Sequence, residues 1–390
     1  MLKNDFLWGF SILLISILIA SCESSNQDKD EYRSDFRLSV VDTLKVPTTG
    51  RTFILAHSRK DNEIIAINDA RQRLLIYNYE KSDLVGDYSF TENPDHDPGI
   101  FYSAGYYQDD IYILGSNGVF FYTKDGVFIR ALRDKTATNI EHFAQPSYIL
   151  NSNGIDYLIC RLKSSNTSVV SLVTPTLLKE ARFLTAIPLN DEVFSFFMFG
   201  KYEATSNLFS NDLKIPRTGV LYTVYEDRVH LILKSNPKIW TYKLNLEDPL
   251  LFENNLLIDF PENYYLLPVN DLNNFYDLDK NTVMNTFYRK FLVDPTNGNT
   301  FFTYQKPFDE KIHNELIKGG MIKINEEWGN YERNRLAKFD KDLNKVFELE
   351  LSNSISYLNL VYDDKLFFHL GGVESEDSEQ FVIAKVNLIQ

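Results

Sequence analysis

From residue 36 onward, apolar residues fall into short runs of roughly 4 to 8, rich in Val, Ile, Phe and Tyr, each stopped by a polar cluster. That length and composition predict strands rather than helices. Six pairs of runs share one plan, two strands around a polar turn. They are residues 53–67 turning at Asp61-Asn62, 103–115 at Asp109-Asp110, 147–160 at Asn153-Gly154, 220–233 at Glu226-Asp227, 287–304 at Asn297-Gly298, and 357–370 at Asp363-Asp364. Asn, Asp and Gly recur because tight hairpins need positive φ or a side chain that bonds its own backbone. The plainest echo joins YQDDIYILG (107–115) to YDDKLFFHLGG (362–372).

Behind each of the first five hairpins the pattern predicts a second one, at 74–90, 119–132, 169–187, 239–260 and 336–351. Two hairpins make a four-stranded antiparallel sheet, and such sheets repeated around an axis are the blades of a propeller, each burying its neighbours' faces. The expected fold is therefore all-β, a six-bladed β-propeller of four-stranded antiparallel blades. The sixth unit lacks one strand before the chain ends, and residues 36–46 (FRLSVVDTLKV) have no partner nearby. Placed in the last blade, that N-terminal strand closes the ring and removes two exposed edges. One propeller thus spans 36–390, with insertions expected at 188–218, 261–286 and 307–334. These are connections between blades or between second and third strands, so they leave the same face.

The N-terminus changes the picture from fold to address. An apolar run from Phe6 to Ala20, with one lysine before it, is too short for a spanning helix and suits an export signal, residues 1–21. Residues 22–35, polar and charged without apolar periodicity, read as a flexible tether. Cys22 and Cys160 are the only cysteines, and the strand-like run around Cys160, with no neighbouring His or acid, marks a packed thiol rather than a nucleophile. Forty basic against fifty-four acidic residues give a net charge of -14, which repels a phosphate backbone and excludes nucleic acid as the expected partner.

Ile19-Ala20-Ser21-Cys22 resembles a bacterial lipobox, whose cysteine carries the lipid. Together with the six hairpin units and the stretch TENPDHDPGIF (91–101), the chain resembles the six-bladed TolB-like propeller lipoproteins of Bacteroidota. In that group a glycine-proline-glycine-acid-phenylalanine turn often links blades. Here Asp97-Pro98-Gly99-Ile100-Phe101 keeps the proline, a glycine and the aromatic but lacks the first glycine and the acid. The resemblance implies a membrane held through a lipid at Cys22, and a place in the cell envelope at the outer membrane, periplasmic or surface-facing. It implies no reaction and no cofactor.

Motifs of other classes are missing. There is no repeated Trp-Asp, only two Gly-Gly pairs, no G-x-G-x-x-G, no P-loop and no G-x-S-x-G elbow. Asp95-His96-Asp97 is the densest cluster of metal-ligand types, set against the simpler reading of a solvated polar turn. His96 and His142 are the histidines in loops between blades, and Tyr264, Tyr265 and Tyr276 concentrate aromatic faces in a long insertion. Aromatic faces edged by Asn and Asp suit a glycan or an envelope protein, while the plainer alternative is that they anchor the loop. The expected function is a ligand-binding or interaction module, with the rival class a propeller lyase or hydrolase acting on a glycan.

Overall fold

The computed structural model describes residues 36–47, 52–58, 60–68, 72–90, 93–134, 146–161, 172–173, 182–200, 213–216, 220–234, 238–243, 251–257, 267–268, 287–306, 334–352, 355–370 and 378–388. They form strands throughout, and no helix among them is long and apolar enough to cross a membrane.

The chain opens with β1 (Phe36–Pro47). The first blade follows as β2 (Thr52–His57), β3 (Glu63–Asn68), β4 (Arg73–Asn78) and β5 (Asp83–Ser89). The second is β6 (Phe101–Tyr107), β7 (Asp110–Gly115), β8 (Gly118–Tyr122) and β9 (Phe128–Arg133). In the third, β10 (Tyr148–Ser152) and β11 (Ile155–Cys160) are followed by β12 (Leu172–Val173), which belongs elsewhere, and then by β13 (Leu184–Pro188) and β14 (Phe197–Phe199). After β15 (Leu213–Pro216), the fourth blade is β16 (Val220–Tyr225), β17 (Arg228–Leu233), β18 (Lys238–Lys243) and β19 (Leu251–Leu257). After β20 (Leu267–Pro268), the fifth is β21 (Phe287–Val293), β22 (Thr300–Gln305), β23 (Asn334–Phe339) and β24 (Lys345–Glu350). The sixth is β25 (Ile355–Tyr362), β26 (Lys365–Leu370) and β27 (Ser378–Leu388), completed by β1, which lies antiparallel to β27 from Phe36 opposite Leu388 to Pro47 opposite Ser378. A bulge between Val40 and Asp42 leaves Val41 facing solvent while the register continues on either side.

Six apolar cores fill the six junctions between blades, and strand alternation explains how one blade serves two of them. On β7, Ile111 and Ile113 pack toward the first blade, while Tyr112 and Leu114 pack toward the third. On β3, Ile65 and Ile67 meet the second blade, while Ile64 and Ala66 meet Phe367, Phe381 and Ile383 of the sixth. That last core, with Leu44 of β1 wholly buried in it, closes the ring.

Turn chemistry follows the sequence. Asn153 and Gly154 have φ of 53° and 82°, and Asp363 and Asp364 have 52° and 55°, the paired positive values of a two-residue hairpin turn. In the second blade the turn sits one residue earlier than expected: Gln108 takes a φ of 58° and Asp110 already belongs to β7. The glycine that ends YQDDIYILG has a steric cause, since a Cβ on Gly115 would stand 2.1 Å from the carbonyl oxygen of Pro98 in the incoming loop.

Two sequence expectations need correction. Residues 169–187 are not the outer hairpin of the third blade, and the segment 188–218 is not wholly an insertion. The third strand is β13, and it pairs with β14 inside the supposed insertion. The reason is burial on both faces: Leu184, Ala186 and Phe199 fill the core toward the fourth blade, and Ile187 with Leu189 fills the core toward the second. β12 instead pairs with β15, and β15 with β20, making a small sheet outside the blades. It ties together the connection within the third blade and those from third to fourth and fourth to fifth, all of which leave one end of the inner strands. Residues 307–333 of the last expected insertion lie outside the described residues.

Candidate functional site

The inner strands β2, β6, β10, β16, β21 and β25 surround a central channel, and a cavity of about 840 Å³ occupies its end at the first-hairpin turns. This is the end opposite the one from which the insertions leave. The deeper wall is apolar, with Leu55, Ile149, Val224, Leu292 and Val361. The rim is polar and aromatic. Five of the six inner strands deliver their last residue to the rim, and the repeated phrase decides what arrives from three of them: Tyr107, Tyr225 and Tyr362, from the second, fourth and sixth blades, all line the cavity.

In the first blade the same position is His57. Its ring stacks on Tyr362 with centroids 3.5 Å apart and planes 15° from parallel. Nε2 lies 3.1 Å from the Tyr79 hydroxyl, which donates to Asn62 Oδ1 at 3.1 Å. Nε2 is then the protonated nitrogen, and Nδ1 is the buried one. Burial, with Lys365 nearby, brings the imidazole pKa down to about 4, so His57 is neutral near pH 7. Burial likewise raises the Tyr79 hydroxyl to about 12.

Charges on the rim are mostly paired. Lys60 meets Asp109, bridging the first and second blades. Lys124 meets Asp61 and also Glu63 at 3.2 Å, and its ammonium stands 5.6 Å from the centroid of the Tyr106 ring. On the other side, Asp156 accepts from the Tyr107 hydroxyl at 2.9 Å and from Asn151 Nδ2 at 2.6 Å, joining the second blade to the third. In the fifth blade, Asp294 is wholly buried and accepts from Thr296, Asn297 and the backbone of Asp363 and Asp364 in the sixth.

Of the residues singled out from the sequence, those the structure describes, Asp95, His96 and Asp97, are not at this site. Asp95, His96 and Asp97 lie in the loop from β5 to β6. His96 stacks on Phe128 at 4.0 Å, with Nδ1 3.2 Å from Asn93 Nδ2; Asp97 Oδ1 accepts from the Gly99 amide at 2.8 Å; and Asp95 reaches Arg133 at 3.9 Å. Successive side chains on an open loop diverge, so the expected metal trio does not converge, and among the described residues no three His, Cys, Asp or Glu side chains come together to hold an ion. Cys22, His142, Tyr264, Tyr265 and Tyr276 lie outside the described residues. Cys160 is buried, and that burial raises its thiol pKa far above the usual range, as an inert packed thiol requires.

Sequence reasoning did not find His57, Tyr107, Asp156, Tyr225 or Tyr362 as site residues. The signal was the echo itself, read for architecture alone: a tyrosine that ends the first strand of the second, fourth and sixth hairpins is a tyrosine repeated around the channel.

No family model matches the chain, and no curated protein matches it in sequence. Solved structures match its fold. A member of the DUF4221 family from Bacteroides vulgatus ATCC 8482 aligns over 90% of this chain and 99% of its own, at 9% identity and a TM-score of 0.57. A protein described as exported, from Bacteroides fragilis NCTC 9343, aligns over 92% of this chain and 98% of its own, at 12% identity and a TM-score of 0.50. At such identities the likeness is one of fold.

Proposed function

We propose that this protein is an exported propeller, anchored in the outer membrane through a lipid on Cys22, that acts as a binding module and holds its ligand in the central channel. One observation carries the binding reading: a cavity of about 840 Å³ whose rim receives Tyr107, Tyr225 and Tyr362 from alternate blades of a closed ring. Rigid concave sites with aromatic walls and a few placed polar groups are what small ligands need. Replacing Tyr225 and Tyr362 with Ala is expected to weaken ligand capture by tenfold or more, on the order of 1–2 kcal/mol for each lost ring face, in a protein that remains folded by near-ultraviolet circular dichroism though less stable for the loss of the Tyr362–His57 stack. A screen of envelope glycans and small metabolites by calorimetry checks this; ligands that bind equally well to the double variant would move the site elsewhere. Turnover assayed on every hit separates a binder from a glycan lyase or hydrolase.

The address rests on Ile19 to Cys22 and agrees with the exported neighbour of the same fold. Labelled fatty acid should enter the wild type and not Cys22→Ala, which is expected unprocessed or released from the membrane. No incorporation by the wild type would overturn the anchor.

A second surface is favoured by the small sheet of β12, β15 and β20, which joins three of the connections at the opposite end. It would present the aromatic insertion, with Tyr264, Tyr265, Tyr276 and the loop histidine His142, to a glycan or an envelope protein.

A further inference from the structure

The rim of the channel is chemically lopsided. On the side of the first and second blades, both lysines that line the cavity are taken up by acids, Lys60 by Asp109 and Lys124 by Asp61 and Glu63. On the side of the third and fourth blades, Asp156 and Glu226 line the same cavity, and neither forms an ion pair with a described Lys or Arg. Asp156 is held in place by two neutral donors, Tyr107 and Asn151. Glu226 follows Tyr225 at a φ of 53°, a conformation that costs a residue with a Cβ. His57 adds no positive charge near neutral pH. The lining therefore holds four carboxylates, Asp61, Asp109, Asp156 and Glu226, against two ammonium groups, Lys60 and Lys124. Low-dielectric walls focus such an excess onto whatever enters the channel. Tyr107 and Tyr225 present ring systems beside it, and aromatic faces attract cations. Below the rim the wall turns apolar, with Leu55, Ile149, Val224 and Leu292.

Resting on the channel reading above, we infer that the ligand is an organic amine with a hydrocarbon stem: its ammonium sits between Asp156 and Glu226 at the Tyr107–Tyr225 side of the rim, and its stem lies against the apolar wall below. A neutral polyol would leave the acid excess uncompensated. An anion would be repelled.

The test uses the full-length purified protein and three probes of matched stem: n-hexylamine, N,N,N-trimethylhexylammonium and n-hexanol, with methyl glucoside as a neutral polyol. Calorimetry is expected to show n-hexylamine binding at least about tenfold more tightly than n-hexanol, with affinity falling as salt is added. Asp156→Asn and Glu226→Gln should each weaken n-hexylamine by about tenfold and leave n-hexanol unchanged, since only the charge is removed. The trimethyl form should bind more weakly than the primary amine, having no N–H to give the carboxylates. Lys385→Gln, on β27 and outside the cavity lining, is the control expected to change nothing. Equal affinity for n-hexylamine and n-hexanol, or indifference of the amine to both acid variants, overturns the inference. If methyl glucoside binds in a Tyr225-dependent manner and no amine does, the amine class is wrong and the channel reading stands. If none of the probes binds, the amine inference falls, and the channel reading is then decided by the wider ligand screen.

Discussion

Deleting residues 36–47 is expected to abolish cooperative folding, or to lower stability by several kcal/mol, an amount comparable with the whole net stability of a typical domain. β1 is the fourth strand of the sixth blade and is paired along its length with β27. Its removal exposes the edge of β27 and withdraws Leu44, which is 0% exposed, from the core that joins the sixth blade to the first. It also takes Phe36 from its contact with Phe347, at 5.1 Å between centroids, and Leu38 and Val40 from the core between the fifth and sixth blades. Burying one such aliphatic side chain contributes roughly 1.5–3 kcal/mol, so several lost together exceed what a ring can spare. Thermal melting followed by near-ultraviolet circular dichroism checks the result. A peptide of residues 36–47 added in trans should restore the transition by completing the open edge. A truncated protein that melts like the intact one would refute closure by the N-terminal strand, whereas Val41→Thr, at the exposed bulge, should be silent.

The second large effect is expected at Asp294. Its carboxyl group, 0% exposed, accepts from the Thr296 amide at 3.0 Å, the Thr296 hydroxyl at 2.7 Å, Asn297 Nδ2 at 3.3 Å, and the amides of Asp363 at 3.2 Å and Asp364 at 2.7 Å. One side chain thus shapes the turn of the fifth blade and clasps the turn of the sixth. Asp294→Ala leaves those donors without an acceptor, and unsatisfied buried polar groups cost about 1–3 kcal/mol each before relaxation and water recover part of it. A net loss of about 3–5 kcal/mol is expected, read as a lower urea midpoint with an unchanged slope. Faster amide exchange at Asp363 and Asp364 should accompany it. Asp294→Asn keeps the shape but turns an amide donor toward other donors, so it should fall between the wild type and the alanine variant. Midpoints and exchange rates identical to wild type would show that the clasp contributes nothing.

Both effects bear on the channel, because the rim is made of turns that these contacts hold. β25 ends at Tyr362, immediately before the clasped Asp363 and Asp364, and Tyr362 in turn stacks on His57. A loosened clasp should therefore be felt by a ligand at the rim as well as by the fold.

By itself the sequence determined the architecture. Short apolar runs with Asn, Asp and Gly between them specify hairpins locally, because φ and turn chemistry depend on residues adjacent in the chain. Six such units, one strand short at the end and one strand in excess at the start, specify a closed ring, because an unpaired edge is costly wherever it lies. The third blade escaped this reasoning: 169–174 and 184–188 are equally strand-like, and only burial on two faces against neighbouring blades selects the second as its third strand. The site escaped for the same reason on a larger scale. Asp95, His96 and Asp97 are adjacent in sequence and diverge in space, whereas His57, Tyr107, Asp156, Tyr225 and Tyr362 are scattered in sequence and converge on one rim. Convergence of residues from five blades is a property of the ring. Periodicity announces that the blades exist, but the tertiary structure alone decides which strand ends face the channel and which charges find partners there.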